Sequence, residues 1–251
     1  MPELEAQGKP RPNSGVFVTG TDTGIGKTYV ACAILRALCD SGIRAVGMKP
    51  IAAGGLVAAQ ALANEDALAL TRASAFEPDM ALVNPYCFPD PIAPHIAARD
   101  AGVEIDPERI RSCYLRLHQS ADFVVVEGAG GFLVPLGPTL SFADLALMLG
   151  LPIVLVVGMR LGCLNHAMLT AEAIERRGLP FAGWVANRID PTMSRWESNL
   201  ETLRQRMPAP FLGLIPYSGN GADACPHALD SRLLIEAAEK AFLQSRRGPL
   251  S

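Results

Sequence analysis

Short β-branched runs alternate along this chain with longer stretches whose apolar positions recur at helical spacing. Strands are predicted at Gly15 to Thr19, Arg44 to Met48, Phe123 to Glu127, Ile153 to Val157, Gly183 to Ala186 and Phe211 to Ile215. Helices are predicted at Lys27 to Asp40, Glu65 to Ala75, Pro107 to Ser120, Phe142 to Leu149, Asn165 to Arg177, Met193 to Arg206 and Leu229 to Leu243. That rhythm means βαβ units and a mainly parallel sheet. Val124-Val125-Val126 and Val154-Leu155-Val156-Val157 are apolar at every position, which requires helices on both faces of the sheet. The ligand crevice of such a fold lies beyond the carboxyl ends of the strands. Only Ala81 to Gly102, with Pro85, Pro89, Pro91 and Pro94, lacks a clear period, and it reads as a structured lid.

Size and composition narrow the class. A chain of 251 residues holds one large α/β domain or at most two small ones, and one, over residues 15–243, is the default reading. Residues 1–14 read as a loose tail without an apolar signal core, and 244–251 as a C-terminal tail. Hydrophobic residues make up 49% and charged residues 19%, enough for a two-sided core. The net charge of −3 supplies no basic field for nucleic acid or an anionic membrane, so small anions must be bound locally. The longest apolar run, Leu151 to Val157, is too short to span a bilayer. A cytoplasmic protein is expected. Its six cysteines form no CxxC pair or zinc-spaced cluster and read as reduced thiols, mostly in the core.

The strongest chemical signal follows the first strand: Gly20-Thr21-Asp22-Thr23-Gly24-Ile25-Gly26-Lys27-Thr28. Glycines let successive N–H groups face phosphate oxygens, Lys27 brings a point charge to the β and γ phosphates, and Thr28 offers a hydroxyl to Mg²⁺. The helix start adds its positive end. Counted from Gly20 the loop holds one residue more than the usual phosphate loop, so Thr21 takes the usual first-glycine place.

Further candidates lie at other strand ends. Glu127 closes a buried strand ahead of Gly128-Ala129-Gly130-Gly131, where a carboxylate suits Mg²⁺ and the glycines admit a ligand to the backbone. Lys49, before Pro50, faces the same crevice, although a lone lysine is ordinarily a surface residue. Asp66 stands in Asn64-Glu65-Asp66, which also reads as a plain helix start. Asn187 either reads a purine edge or caps a strand, and the residues leave both open. Leu161-Gly162-Cys163-Leu164-Asn165-His166 opens a helix whose free N–H groups suit a carboxylate, with His166 an ordinary helix residue.

Together with these, Met48-Lys49-Pro50, Asp66-Ala67-Leu68-Ala69-Leu70, Asn84-Pro85-Tyr86, Ala93-Pro94-His95, Glu127 to Gly131, Leu161 to Thr170 and Gly183 to Asn187 resemble the dethiobiotin synthetases. The resemblance runs in order from about Val16 to Tyr217. It implies a three-layer P-loop nucleotide-binding fold, α/β, with a mainly parallel sheet covered by helices on both faces. It also implies an ATP- and Mg²⁺-dependent ligase that carboxylates 7,8-diaminononanoate with CO₂ and closes the ureido ring of dethiobiotin. Partners are then the diamine, CO₂ and ATP, in a homodimer with substrate sites near the subunit interface.

By the same resemblance Lys27, Lys49 and Thr23 are catalytic, and Thr28, Asp66 and Glu127 hold the metal. Gly24, Ile25, Gly26, Gly128, Ala129 and Gly130 join them around the nucleotide. Asn187, Arg188, Pro216, Tyr217 and Ser218 read adenine, and Asp223 contacts ribose. Thr23, Lys49, Ala53 and Gly130 meet the substrate, whose carboxylate goes to Gly162, Cys163, Leu164 and Asn165. Family members often carry a hydroxyl residue where this chain has Ala52-Ala53-Gly54, which removes a substrate hydrogen bond there. Partition ATPases typically carry an extra lysine early in the loop, which Gly20 to Ile25 lacks, and cobyrinate synthetases need a glutaminase domain for which this chain has no room.

Overall fold

The structure, a computed structural model, describes residues 14–58, 61–217 and 229–245. Its first half runs β1 (Gly15–Gly20), α1 (Lys27–Asp40), β2 (Ala45–Met48), β3 (Ile51–Ala53), β4 (Leu56–Ala58), β5 (Ala61–Ala63), α2 (Glu65–Ala73), α3 (Met80–Val83), β6 (Tyr86–Phe88), α4 (Pro94–Asp100) and α5 (Pro107–Ser120). The second half runs β7 (Phe123–Glu127), α6 (Phe142–Leu149), β8 (Ile153–Gly158), α7 (Cys163–Arg176), β9 (Phe181–Asn187), α8 (Trp196–Arg206), β10 (Phe211–Ile215) and α9 (Ser231–Ser245).

Six strands form one parallel sheet in the order β10-β9-β8-β1-β7-β2. The chain passes from β1 outward to β2, returns to β7 beside β1, and then continues through β8 on the other side. The order therefore switches at β1, and the crevice opens beyond its carboxyl end. Side-chain alternation builds the three layers. Phe17, Val124, Val126 and Leu155 face a core completed by Ile110 and Tyr114 of α5, Leu145 of α6 and Ala167 of α7. Val16, Val18, Val125 and Val154 face the opposite core with Val30, Ile34 and Leu38 of α1 and Leu234 and Ala238 of α9. The predicted α/β architecture with helices on both faces is the one observed.

Several boundaries differ for local reasons. The proline-rich interval read as a lid without period holds α3, β6 and α4, with Pro94 in the first turn of α4, where its missing N–H costs no hydrogen bond. β6 pairs in parallel with β3, and β4 with β5 in an antiparallel hairpin. α2 stops at Ala73 because the Ser74 hydroxyl donates to the Leu70 carbonyl at 2.8 Å and accepts the Gly47 N–H at 3.0 Å, tying the helix end to β2. α8 starts at Trp196 rather than Met193, since the Asp190 carboxylate holds a turn through the Thr192 N–H at 2.8 Å and Arg195 enters at φ 56°. α9 runs to Ser245, into the stretch read as a tail. Of the cysteines, Cys32 and Cys163 are buried, but Cys39, Cys87 and Cys113 are only half-buried, so most of the described thiols sit at the core margin. Cys225 lies outside the described residues.

Candidate active site

The loop from β1 to α1 is shaped by Gly24 at φ 71° and Gly26 at φ 80°, conformations that disfavour a Cβ. Between them Ile25 plunges into the core, 1% exposed, and anchors the loop from within. From β9, Asn187 donates its amide to the Ile25 carbonyl at 2.8 Å. Asp22 accepts the Thr23 N–H at 2.7 Å and pairs with Arg160 beyond the end of β8. Lys27 opens α1 and donates to the Asp22 carbonyl oxygen at 2.8 Å. Burial, reinforced by the charge of Lys49, lowers the Lys27 pKa to about 8, with Glu127, Asp66 and Asp22 pulling the other way.

Three elements bring charge to the floor of the crevice. Lys49 directly follows β2, Glu127 ends β7, and Asp66 stands in the first turn of α2. Asn64 caps α2 by accepting the Asp66 and Ala67 N–H groups at 3.0 and 3.4 Å, so Asp66 is fixed in the first turn of the helix. Asn84 donates to the Lys49 carbonyl at 2.7 Å and steadies the backbone behind it. The Lys49 ammonium lies 2.6 Å from Glu127 Oε1 and 2.9 Å from Asp66 Oδ2, and also donates to the Gly128 carbonyl at 3.2 Å. Lys49 is 3% exposed and Glu127 1%, so these two form a buried pair in which each charge depends on its partner, while Asp66, 42% exposed, closes the cluster on the cavity side. Burial alone would lower the Lys49 pKa, but Glu127 and Asp66 more than offset it and hold the ammonium above the ordinary lysine value. Burial works against the Asp66 carboxylate too, yet Lys49 keeps its pKa below the usual aspartate value.

Thr28 donates its hydroxyl to Glu127 Oε1 at 2.9 Å, while the buried Oε2 finds no hydrogen-bond partner among the described residues. An orphaned carboxylate oxygen beside a second carboxylate and a hydroxyl is the hard oxygen set that Mg²⁺ takes when phosphates and water complete its shell. Among the described residues no group of three His, Cys, Asp or Glu that could hold a metal occurs. The residues thus fit a cation that shares its ligands with a nucleotide.

A cavity of about 680 Å³ opens above this cluster. Thr23, Gly24, Gly26, Lys27 and Thr28 form one wall, and Lys49, Ala53, Asp66, Glu127, Ala129 and Gly130 form the floor and far side. Gly128 contributes its carbonyl to Lys49, and Ile25 lies beneath the loop. Asn187 instead holds the loop, and Arg188 stacks its guanidinium on Trp196 at 4.6 Å. Pro216 and Tyr217 follow β10 at the same edge of the sheet, with Tyr217 exposed, while Ser218 and Asp223 lie outside the described residues. Gly162 to Asn165 open α7 but take no part in the cavity wall. Sequence reasoning missed Arg160 as the partner of Asp22, and Pro91, Ile92 and Ala52 as wall residues. The proline run within the aperiodic interval was the available signal for the wall, whereas nothing in sequence pairs residues as distant as Arg160 and Asp22.

A family model described as an AAA domain matches residues 14–221. The ATP-dependent dethiobiotin synthetase of Aromatoleum aromaticum is 57% identical over 217 residues, covering 86% of this chain and 96% of the relative. The chain belongs to the dethiobiotin synthetase family. A second member, from Xanthomonas euvesicatoria, is 54% identical and covers 84% of this chain and 94% of its own length. Among solved structures, a ParA family ATPase from Chlorobium tepidum superposes with a TM-score of 0.52 at 15% identity, covering 89% of this chain and 98% of that one. The MinC:MinD cell division complex of Aquifex aeolicus superposes with a TM-score of 0.51 at 15% identity, covering 95% and 98%. At that identity these likenesses show the fold alone. A dethiobiotin synthetase therefore shares its architecture with a ParA family ATPase and with a cell division protein complex, and its floor of Lys49, Asp66 and Glu127 is its own.

Proposed function

We propose that this cavity is where the enzyme, an ATP-dependent ligase of biotin biosynthesis that forms dethiobiotin, carboxylates 7,8-diaminononanoate and closes its ureido ring. One amine of the diamine adds to CO₂ and loses a proton, giving a carbamate. A carbamate oxygen attacks the γ-phosphorus of ATP and ADP departs, leaving a carbamic-phosphoric mixed anhydride. The second amine attacks the carbonyl carbon and loses a proton, phosphate leaves, and the ring closes. The observation that carries this reading is Lys49, a buried ammonium on the floor of the cavity that also holds Lys27 and Thr23.

Every stage gathers negative charge, so preorganised cations dominate the catalysis. Lys27 neutralises the transferring phosphoryl group, Lys49 the carbamate, and Thr23 offers a hydroxyl to the carbamate beside Gly130. Thr28, Asp66 and Glu127 would hold Mg²⁺, which when bound supplies positive charge to the phosphate oxygens. Asn187, Arg188, Pro216, Tyr217 and Ser218 serve adenine at the β9 and β10 end, with Asp223 on the ribose. Reading adenine requires Asn187 to share its amide between base and loop.

Gly162 to Asn165 remain the receiver of the substrate carboxylate. Their absence from this cavity wall supports a homodimer in which the α7 start of one copy completes the site of the other. Leu161, 91% exposed, and Leu169, 57% exposed, give that region an apolar surface. The single-domain reading over residues 15–243 and a cytoplasmic location belong to the same proposal; among the described residues no helix is long and apolar enough to cross a membrane.

Phosphate release measured with ATP alone, with bicarbonate added, and with bicarbonate plus diamine tests the assignment. Release is expected only in the complete mixture, and equal release without the diamine would end it.

A further inference from the structure

The cluster around the buried Lys49–Glu127 pair holds one cation where two are called for. The Lys49 ammonium occupies the mouth between Glu127 Oε1 and Asp66 Oδ2, at 2.6 and 2.9 Å, the carboxylates that would hold Mg²⁺. Thr28, the remaining oxygen ligand, is turned onto the same Glu127 oxygen at 2.9 Å. A divalent ion and an ammonium cannot both sit in direct contact with one carboxylate oxygen without strong mutual repulsion. Glu127 keeps Oε2 free of partners among the described residues, which leaves the incoming metal a first foothold.

We infer that Lys49 is a resident stand-in for the metal, and that entry of Mg²⁺ with the nucleotide displaces its ammonium from Asp66 and Glu127 into the cavity. The inference rests on the proposed metal role of Thr28, Asp66 and Glu127. Two consequences follow from competition for the same oxygens. Before nucleotide arrives, the Lys49 ammonium offsets one of the two carboxylate charges and holds an oxygen of each, so a metal alone binds weakly and enters as its nucleotide complex. Once the carboxylates are taken, the Lys49 side chain carries an unpaired positive charge beside the phosphate loop, where a carbamate next supplies the negative partner. The lysine is thus released toward its substrate only when the phosphoryl donor is in place. Linkage makes the effect reciprocal: whatever the metal costs the lysine, the lysine costs the metal.

Mn²⁺ binding to the full, nucleotide-free chain, followed by electron paramagnetic resonance, tests this with the metal alone as probe. Lys49→Met is expected to bind Mn²⁺ about tenfold or more tightly than the wild type. Lys49→Arg, which keeps the charge, is expected to stay as weak as the wild type, and Lys49→Met with Asp66→Asn to lose the gain. Equal or weaker binding by Lys49→Met overturns the inference. If Asp66→Asn nevertheless weakens Mn²⁺ binding in the presence of ATP, the metal reading survives alone; if it does not, that reading falls as well. Should Lys49→Met fail to fold, the wild-type Lys49 ammonium resonance decides. It is expected to shift on adding Mg²⁺ with a non-hydrolysable ATP analogue but not with the analogue in chelator, and an unmoved resonance overturns the displacement.

Discussion

Gly26 holds the phosphate loop at its tightest point. The residue sits at φ 80°, and a Cβ there would overlap the Asn187 amide that ties the loop to β9. Gly26→Ala therefore meets a left-handed backbone penalty of roughly 1–2 kcal/mol and a broken loop tether together. The expected outcome is a folded protein by circular dichroism whose ATP affinity falls about tenfold or more by calorimetry; unchanged affinity would show that the loop tolerates the change. Glycine spacing made this position readable in advance, because only backbone without a side chain can curl around phosphate. Lys49 was less readable. A strand-end lysine is a surface residue by default, and its burial follows from two acids that reach it from β7 and α2.

Among the elements, α6 carries its boundary in its own residues. Ser141 accepts the Asp144 N–H at 3.4 Å, and Asp144 accepts the Ser141 N–H at 2.8 Å, closing a capping box that Arg177 reinforces from the end of α7. Ser141→Ala is expected to cost about 1 kcal/mol in urea denaturation. Burial, the largest single influence, pushes the Asp144 carboxyl up, but the bonds from Ser141 and Arg177 together outweigh it and its pKa falls below the ordinary 3.8. Its contribution is therefore fully present above that ordinary value and is lost as pH falls through the lower folded one. Asp144→Asn should lower stability at neutral pH and flatten the acid limb below the ordinary aspartate value, and an acid limb identical to wild type would remove Asp144 from it. Such caps, and the period of α1, α5 and α6, are local chemistry and legible in sequence. β3 and β6 were not legible, because three-residue strands show no period and exist only by pairing with each other.

At the scale of the whole molecule, Gly162 to Asn165, the proposed receiver of the substrate carboxylate, lie outside the cavity wall of their own chain. Sedimentation is expected to give twice the chain mass, with Leu161→Glu shifting it to monomer. That variant should keep its ATP affinity while kcat/KM for the diamine falls at least about tenfold, as the proposed two-copy site requires. A monomeric wild type with full activity would sink the two-copy site.

What the sequence determined by itself is what depends on near neighbours along the chain: alternating apolar runs, the glycine-lysine-threonine loop, the helix starts and the acid at the end of β7. These carry their physics within a few residues, and together with the family resemblance they identified fold and chemistry. The tertiary structure alone decided which charges meet. Lys49 finds Glu127 because β2 lies beside β7, and Asp66 because α2 starts above both. Asp22 finds Arg160 because β1 and β8 are adjacent. The order of strands in a sheet is set by packing both cores at once, so contacts across it become visible only when the whole chain has folded.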